Sequence, residues 1–110
     1  MKLKEYIIPV WDHRVYVARN CSRETFINFI NKEFHANYSV SKTTATASTF
    51  TSRDGVILIW LSKKCPLADI AHECFHAAYS ILSMKGITLD TSSEESFAYL
   101  IGYLFNLITK

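Results

Sequence analysis

The sequence has few residues that interrupt a chain and few that cross-link it. Two prolines and three glycines among 110 residues leave no low-complexity linker, so the length predicts one domain over residues 1–110. Three cysteines, Cys21, Cys65 and Cys74, form no Cys-x-x-Cys pair. Their number and spacing argue against a disulfide framework and favour a reducing, cytoplasmic compartment.

Long apolar runs and basic clusters are also missing. No stretch reaches the roughly 18 apolar residues that a membrane span needs, and the opening residues, MKLKEYIIPVWDHR, predict a strand and not a signal peptide. Lysine and arginine occur singly or in pairs, and the net charge is +2. That distribution lacks the electrostatic footprint of a nucleic-acid-binding protein. We therefore expect neither a membrane nor a nucleic acid as partner.

What the chain does contain is a regular succession of strand and helix patterns. Branched and aromatic runs predict strands, an Asp54-Gly55 pair predicts a hairpin turn, and apolar residues at helical spacing predict helices. The predicted elements are strands over 3–10 and 14–18, a helix over 23–35, strands over 43–52 and 56–62, and helices over 66–85 and 93–108. This order predicts an α+β domain with helices packed on one antiparallel or mixed sheet.

The sequence LADIAHECFHAAYSIL contains the pattern His72-Glu73-x-x-His76 within a helix that looks buried. Residues four apart lie on one side of a helix, so the two histidines can bind one metal ion. Glu73 is about 100° round the helix from His72, beside the ion, where it can deprotonate a bound water. Buried polar side chains are costly without a partner, which favours a metal over chance residues in a core helix.

A third ligand is predicted from the last helix, which is apolar nearly all round and should pack in the core. Its first turn carries Glu94 and Glu95. Glu95 shares a face with the small residues Ala98 and Gly102, which would let that face approach another helix closely. We therefore assign Glu95 as the third ligand, with Glu94 as the alternative.

The pattern His72-Glu73-Cys74-Phe75-His76, eighteen intervening residues and then Glu95 resembles the gluzincin metallopeptidases. The chain is also similar to minigluzincins, the smallest such domains, and to short zincin-like proteins of phages and prophages. This resemblance implies a zincin-like α+β fold: a small, mostly antiparallel sheet, an upstream helix, an active-site HExxH helix and a C-terminal glutamate helix. It implies that His72, His76 and Glu95 bind Zn²⁺, with water as the fourth ligand.

The same resemblance implies a peptidase mechanism and a place for the substrate. Glu73 would be the general base and would pass the proton to the leaving amine. The strand before the motif helix would hold an extended peptide by strand addition; its predicted residues are Thr46, Ala47, Ser48, Thr49 and Phe50. The alternative is that this segment is only a polar outer strand, and self-association through the same edge is a further option.

Two residues that gluzincins often carry are absent. The acidic residue four positions after the third ligand is replaced by Tyr99, and no histidine follows His76 to stabilise an oxyanion. Candidates for orienting a zinc-bound histidine or stabilising an oxyanion are Asp69, Tyr79, Tyr99 and Tyr103, and each also has a plain structural interpretation. Cys74 points away from both histidines by helix phase and is predicted to be a buried apolar residue.

Three hypotheses follow from the sequence. The first is a compact zinc-dependent peptidase acting on a peptide or protein. The second is a zinc-binding zincin-like protein without turnover that binds or inhibits another protein. The third is a structural domain without metal. The presence of Glu73 favours the first, because a purely structural zinc site usually has four protein ligands and needs no such glutamate.

Overall fold

The computed structural model describes all residues from 1 to 110, and it contains four strands and three α-helices. The elements in chain order are β1 (Lys2–Ile8), β2 (His13–Arg19), α1 (Arg23–Glu33), β3 (Ala47–Thr51), β4 (Ile57–Leu61), α2 (Leu67–Met84) and α3 (Glu94–Thr109). Their order confirms the predicted succession of elements and the α+β class.

The four strands form one mixed sheet in the order β1-β2-β4-β3. β1 pairs with β2, and β3 with β4, in antiparallel hairpins, whereas β2 and β4 run parallel in the centre. A parallel pair needs a crossover connection, and here α1 provides it. β4 pairs with β2 on one side and with β3 on the other, so β3 lies at the edge of the sheet, as predicted.

Helices cover both faces of the sheet. Alternate residues of a strand point to opposite faces, and the two central strands place apolar residues on both faces. One set, which includes Val15, Val17 and Ile59, packs with α2 and α3 in the larger core. The other set, which includes Leu58 and Trp60, packs with α1 in the smaller core. The near-continuous apolar sequence of β4 is explained by this double burial.

Local sequence signals explain most of the element boundaries. Ser22 is the N-cap of α1, where its side chain accepts a hydrogen bond from Thr25 N. Gly86 follows the end of α2 with a φ of 79°, and Gly55 forms the β3–β4 turn with a φ of 83°. Both values lie in the left-handed region that favours glycine.

Two features of the fold differ from the predictions. β3 begins at Ala47, so the predicted strand over 43–52 is shorter at its start. The last helix is not buried all round, because its buried residues, Phe97, Leu100, Leu104 and Ile108, occupy only one side. Tyr99 is 77% exposed and Tyr103 is 43% exposed. The sequence of the last helix has no clear polar face, so it did not indicate which side would pack against the core.

None of the three helices combines the length and hydrophobicity needed to cross a membrane.

The packing of α2 on the sheet predicts a sharp contrast between two leucines of that helix. Leu82 is fully buried, whereas Leu67 is 63% exposed. We expect Leu82→Ala to lower the free energy of unfolding by about 2–5 kcal/mol, because it leaves a cavity. Leu67→Ala should change it by less than about 0.5 kcal/mol. Urea denaturation followed by circular dichroism measures both values, and similar losses in the two variants would contradict this packing.

Candidate metal centre

The two histidines of the motif lie one turn apart on α2 with their rings turned toward the same point. The Nε2 atoms of His72 and His76 are 3.0 Å apart. Two imidazole nitrogens bound to one zinc ion at about 2.0–2.1 Å in tetrahedral geometry are about 3.3 Å apart. A small rotation of either ring therefore suffices for both to bind a zinc ion, and the donor pair fits the metal.

The prediction that the whole motif is buried is wrong. Both histidines are exposed, and only Glu73 is buried, at 8% exposure. Water can therefore satisfy the imidazoles, and burial by itself gives no reason for a metal. The sequence suggested uniform burial because the exposed side of α2 also carries apolar and aromatic residues, among them Leu67, Phe75 and Tyr79.

Glu73 is held by the edge strand. Its Oε1 accepts a hydrogen bond of 2.7 Å from the hydroxyl of Thr49, which is the only hydrogen bond of this carboxylate. One turn earlier on α2, the carboxylate of Asp69 accepts a hydrogen bond from the hydroxyl of Thr46. Two threonines at and just before β3 thus orient two carboxylates of α2. Asp69 lines the same hollow as His72, but its hydrogen bond is to Thr46 and not to a histidine.

The space between β3 and α2 forms a groove, which we call the edge groove. One hollow of about 350 Å³ is lined by Arg23, Ala47, Ser48, Thr49, Phe50, Thr51, Glu73, His76 and Ser80. A second hollow of about 310 Å³ is lined by Ala45, Thr46, Ala47, Asp69, His72 and Glu73. The edge groove therefore brings together the motif and the whole segment predicted to hold a substrate. It has room for an extended peptide chain beside the strand.

No third ligand completes the histidine pair. No group of three or more His, Cys, Asp or Glu side chains lies close enough together to hold one metal ion. Glu95 is exposed and lines a separate open hollow on α3 with Ala98, Tyr99, Gly102 and Tyr103. The structure does not bring Glu95 to the two histidines.

The packing argument for Glu95 over Glu94 is wrong. A Cβ added at Gly102 would meet no atom within 4 Å, so the small-residue face of α3 contacts no other helix. By helix phase, Glu94 is about 60° from the buried Phe97, whereas Glu95 is about 160° away. Glu94 is also exposed, but it lies nearer the packed side of α3.

The tyrosines proposed for oxyanion stabilisation are spread over the surface. The ring of Tyr79 lies 6.0 Å from that of Phe75 and 6.2 Å from that of Phe97, between α2 and α3. Tyr99 and Tyr103 line a hollow with Trp11 near the β1–β2 turn. None of the three hydroxyls forms a hydrogen bond within the chain or lines the edge groove, so their catalytic roles gain no support from their positions.

Cys74 is fully buried in the larger core, as its helix phase predicted. Burial, with a smaller contribution from the charge of Glu73, raises the pKa of this thiol to about 12. The thiol therefore stays protonated at neutral pH. Cys74 lies in the core, whereas His72 and His76 are exposed, so this cysteine is not part of the histidine site.

Sequence patterns did not predict the contacts that three residues make in the groove. Thr46 and Thr49 lie over 20 positions before their carboxylate partners. The alternation of side chains along a polar strand does not predict which hydroxyl group contacts which helix. Arg23 is the first residue of α1, and its sequence position gave no sign that it reaches β3. The only available signal was the richness of the 43–52 segment in hydroxyl side chains.

A scan against protein-family models, a search of the curated proteins and a search of the solved structures each found no match to this chain. The resemblance to gluzincins therefore depends on the motif and on the spacing to the last helix.

The bond between Thr49 and Glu73 predicts a difference between two substitutions of the threonine. Thr49→Val keeps the shape but removes the donor, and leaving a buried carboxylate without its partner costs about 1–3 kcal/mol. Thr49→Ser keeps the hydroxyl and should retain most of that stability. We expect urea denaturation at pH 7 to show a clearly larger loss for the valine variant. Equal losses would mean that the hydrogen bond contributes nothing measurable.

Proposed function

We propose that this protein is a zinc-dependent peptidase that cleaves extended peptides in the edge groove. The observation that supports this most directly is the convergence of the His72 and His76 Nε2 atoms beside the buried carboxylate of Glu73. All three residues line hollows that open onto the free edge of β3.

The roles of the side chains follow from their chemistry. His72 and His76 would hold the metal, which when bound supplies Lewis-acid activation of a water molecule. Glu73 would accept the proton of the attacking water and then pass it to the leaving amine. Thr49 holds the Glu73 carboxylate through one oxygen, which leaves the other oxygen free for proton transfer.

The third protein ligand in this proposal is a carboxylate from the first turn of α3, Glu95 or Glu94. Three protein ligands and one water are the usual set of a catalytic zinc. A turn built on Asp90 precedes this helix: the Asp90 carboxylate accepts hydrogen bonds from Ser92 N and Ser93 N at 2.9 and 3.1 Å. The hydrogen bond from the Ser92 hydroxyl to this carboxylate, together with these two, lowers the pKa of Asp90. The first turn of α3 therefore starts from a defined position at neutral pH.

A second candidate function is a zinc-binding module that captures a protein segment without cleaving it. The separation of Glu95 and Glu94 from the histidine pair favours this alternative, because an incomplete ligand set binds metal weakly and activates water poorly. The free edge of β3 would still accept an extended chain by strand addition. The two functions share the groove and differ in turnover.

The metal is tested by the zinc content of the purified, tag-free protein after reconstitution and desalting. We expect about one zinc ion per chain, because the Nε2 pair fits the ion. His76→Asn should reduce zinc affinity by more than the 10–100-fold that loss of an outer-shell partner costs. His35→Asn is the matched control: His35 is exposed, with a φ of 52° that asparagine tolerates. The His35→Asn protein should bind zinc like the wild type. A wild-type protein that binds no zinc would overturn the proposal.

Turnover and the third ligand are tested with further variants of the same protein. We expect Glu73→Gln to keep the zinc and to lose hydrolysis of a mixed peptide library, as measured by mass spectrometry, because the general base is gone. Glu94→Gln and Glu95→Gln identify the third ligand by which of them weakens zinc binding. Stoichiometric zinc without hydrolysis in the wild type would favour the binding module.

A further inference from the structure

At the outer edge of β3, the backbone groups of only two residues have no hydrogen-bond partner within the chain. In an antiparallel ladder, successive residues point their N–H and C=O groups alternately toward and away from the partner strand. Ser62 N donates to Thr46 O, and Ser52 N donates to Val56 O, each at 2.9 Å. With this register the even-numbered residues of β3 face β4, whereas Ala47, Thr49 and Thr51 point outward.

The third outward position is already occupied by the chain itself. The hydroxyl of Tyr38 donates to Thr51 O at 2.7 Å and accepts from Thr51 N at 3.2 Å. Tyr38 is fixed in turn by Asn31, whose side chain bonds both Tyr38 N and Tyr38 O. A peptide that adds to β3 can therefore pair with Ala47 and Thr49, and Tyr38 marks the end of the site.

Side chains of such a peptide would point alternately to the two faces of the sheet. Residues directly opposite each other in neighbouring strands project to the same face. A peptide residue opposite Thr49 therefore points to the α2 face, toward Glu73. Its neighbours lie opposite Ser48 and Phe50 and point to the α1 face.

Arg23 occupies the α1 face at that point. Its Nε donates to the Ser48 hydroxyl at 2.9 Å, and its Cζ lies 5.5 Å from the centroid of the Phe50 ring. These two contacts fix the guanidinium against β3. The side chain is half-buried and lines the same hollow as Glu73 and His76.

The charge of Arg23 is unpaired within the protein. The chain's one ion pair joins Arg14 to Glu5 and is remote from this hollow. The Nη1 of Arg23 is the only buried side-chain nitrogen or oxygen atom without a hydrogen-bond partner. A guanidinium carries its charge permanently and presents five donors. A half-buried, incompletely bonded cation beside a groove is complementary to a carboxylate, which a guanidinium can bind through two parallel hydrogen bonds.

We propose that Arg23 determines specificity by binding a carboxylate of an extended peptide paired with β3. The carboxylate is that of an Asp or Glu next to the residue that faces Glu73, or that of a peptide C-terminus ending at the same point. This inference deepens the proposed function, because it names the substrate class of the same groove. It depends on strand addition at β3 and not on turnover, so the two can fail separately.

The test measures binding of fluorescent hexapeptides to the 110-residue Glu73→Gln protein with zinc present. The peptides consist of threonine and valine, with blocked ends, and carry one Glu, Gln or Lys at each position in turn. A second series has a free C-terminal carboxylate and no acidic side chain. If the Glu peptides of the first series bind most tightly, the ligand is an acidic side chain. If the peptides of the second series bind most tightly, the ligand is the C-terminal carboxylate.

We expect the best carboxylate peptide to bind about tenfold or more tightly than its neutral counterpart, as is typical of hydrogen bonds to charged groups. Adding Arg23→Gln should remove this preference, and Arg23→Glu should shift it toward the Lys peptides. Arg23→Lys should keep part of it, because the charge remains while the paired donors are lost. Arg53→Gln is the matched control, since Arg53 is exposed and makes no side-chain bond; it should leave the preference unchanged.

The outcomes separate the two proposals. An equal preference in the Arg23→Gln and Arg53→Gln proteins would overturn the role of Arg23, even if the wild type cleaves peptides. Binding of carboxylate peptides that depends on Arg23, without cleavage by the zinc-loaded wild type, would support the specificity site and overturn the peptidase. Melting temperatures of all variants establish that they are folded. A lack of binding by every peptide would overturn the inference.

Discussion

The contact between α2 and the edge strand β3 organises the candidate site. Thr49 donates to Glu73 and Thr46 donates to Asp69, so two hydroxyl groups align two successive turns of the helix with the strand. A carboxylate as buried as Glu73 requires such a donor. Once α2 is set in this way, the exposed stripe that contains His72 and His76 must lie over the edge groove.

The edge strand is exposed for a reason that the topology supplies. β3 is the last strand of the sheet and pairs only with β4. Its outer edge is therefore free, and a free strand edge can pair with other chains and cause aggregation. The chain limits this risk with Tyr38, which binds both backbone groups of Thr51. Only Ala47 and Thr49 remain available. An edge of this length suits a short extended segment better than the long pairing that self-association through β3 would need.

The two faces of the sheet contribute different chemistry to the same groove. The α2 face carries the histidines and the buried glutamate, and the α1 face carries Arg23 on Phe50. The strand edge lies between them, so any chain paired with it contacts both. α3, in contrast, contributes packing residues to the larger core and leaves its two glutamates in solvent. Neither glutamate is therefore held beside the two histidines of the proposed centre.

Sequence by itself determined the succession of elements, because the signals involved are local: the Ser22 cap, the Asp54-Gly55 turn, Gly86 after α2 and the periodicity of apolar residues. It also determined that His72 and His76 share a helix face, since the geometry of a helix leaves no alternative. Only the tertiary structure decided which face of α3 is covered, because a helix that is apolar nearly all round has no preferred side until its neighbours are in place. The hydroxyl partners of Glu73 and Asp69, and the approach of Arg23 to the edge groove, were likewise decided by tertiary structure. Each depends on strand register and on two elements distant in sequence, and no local pattern encodes such a pairing.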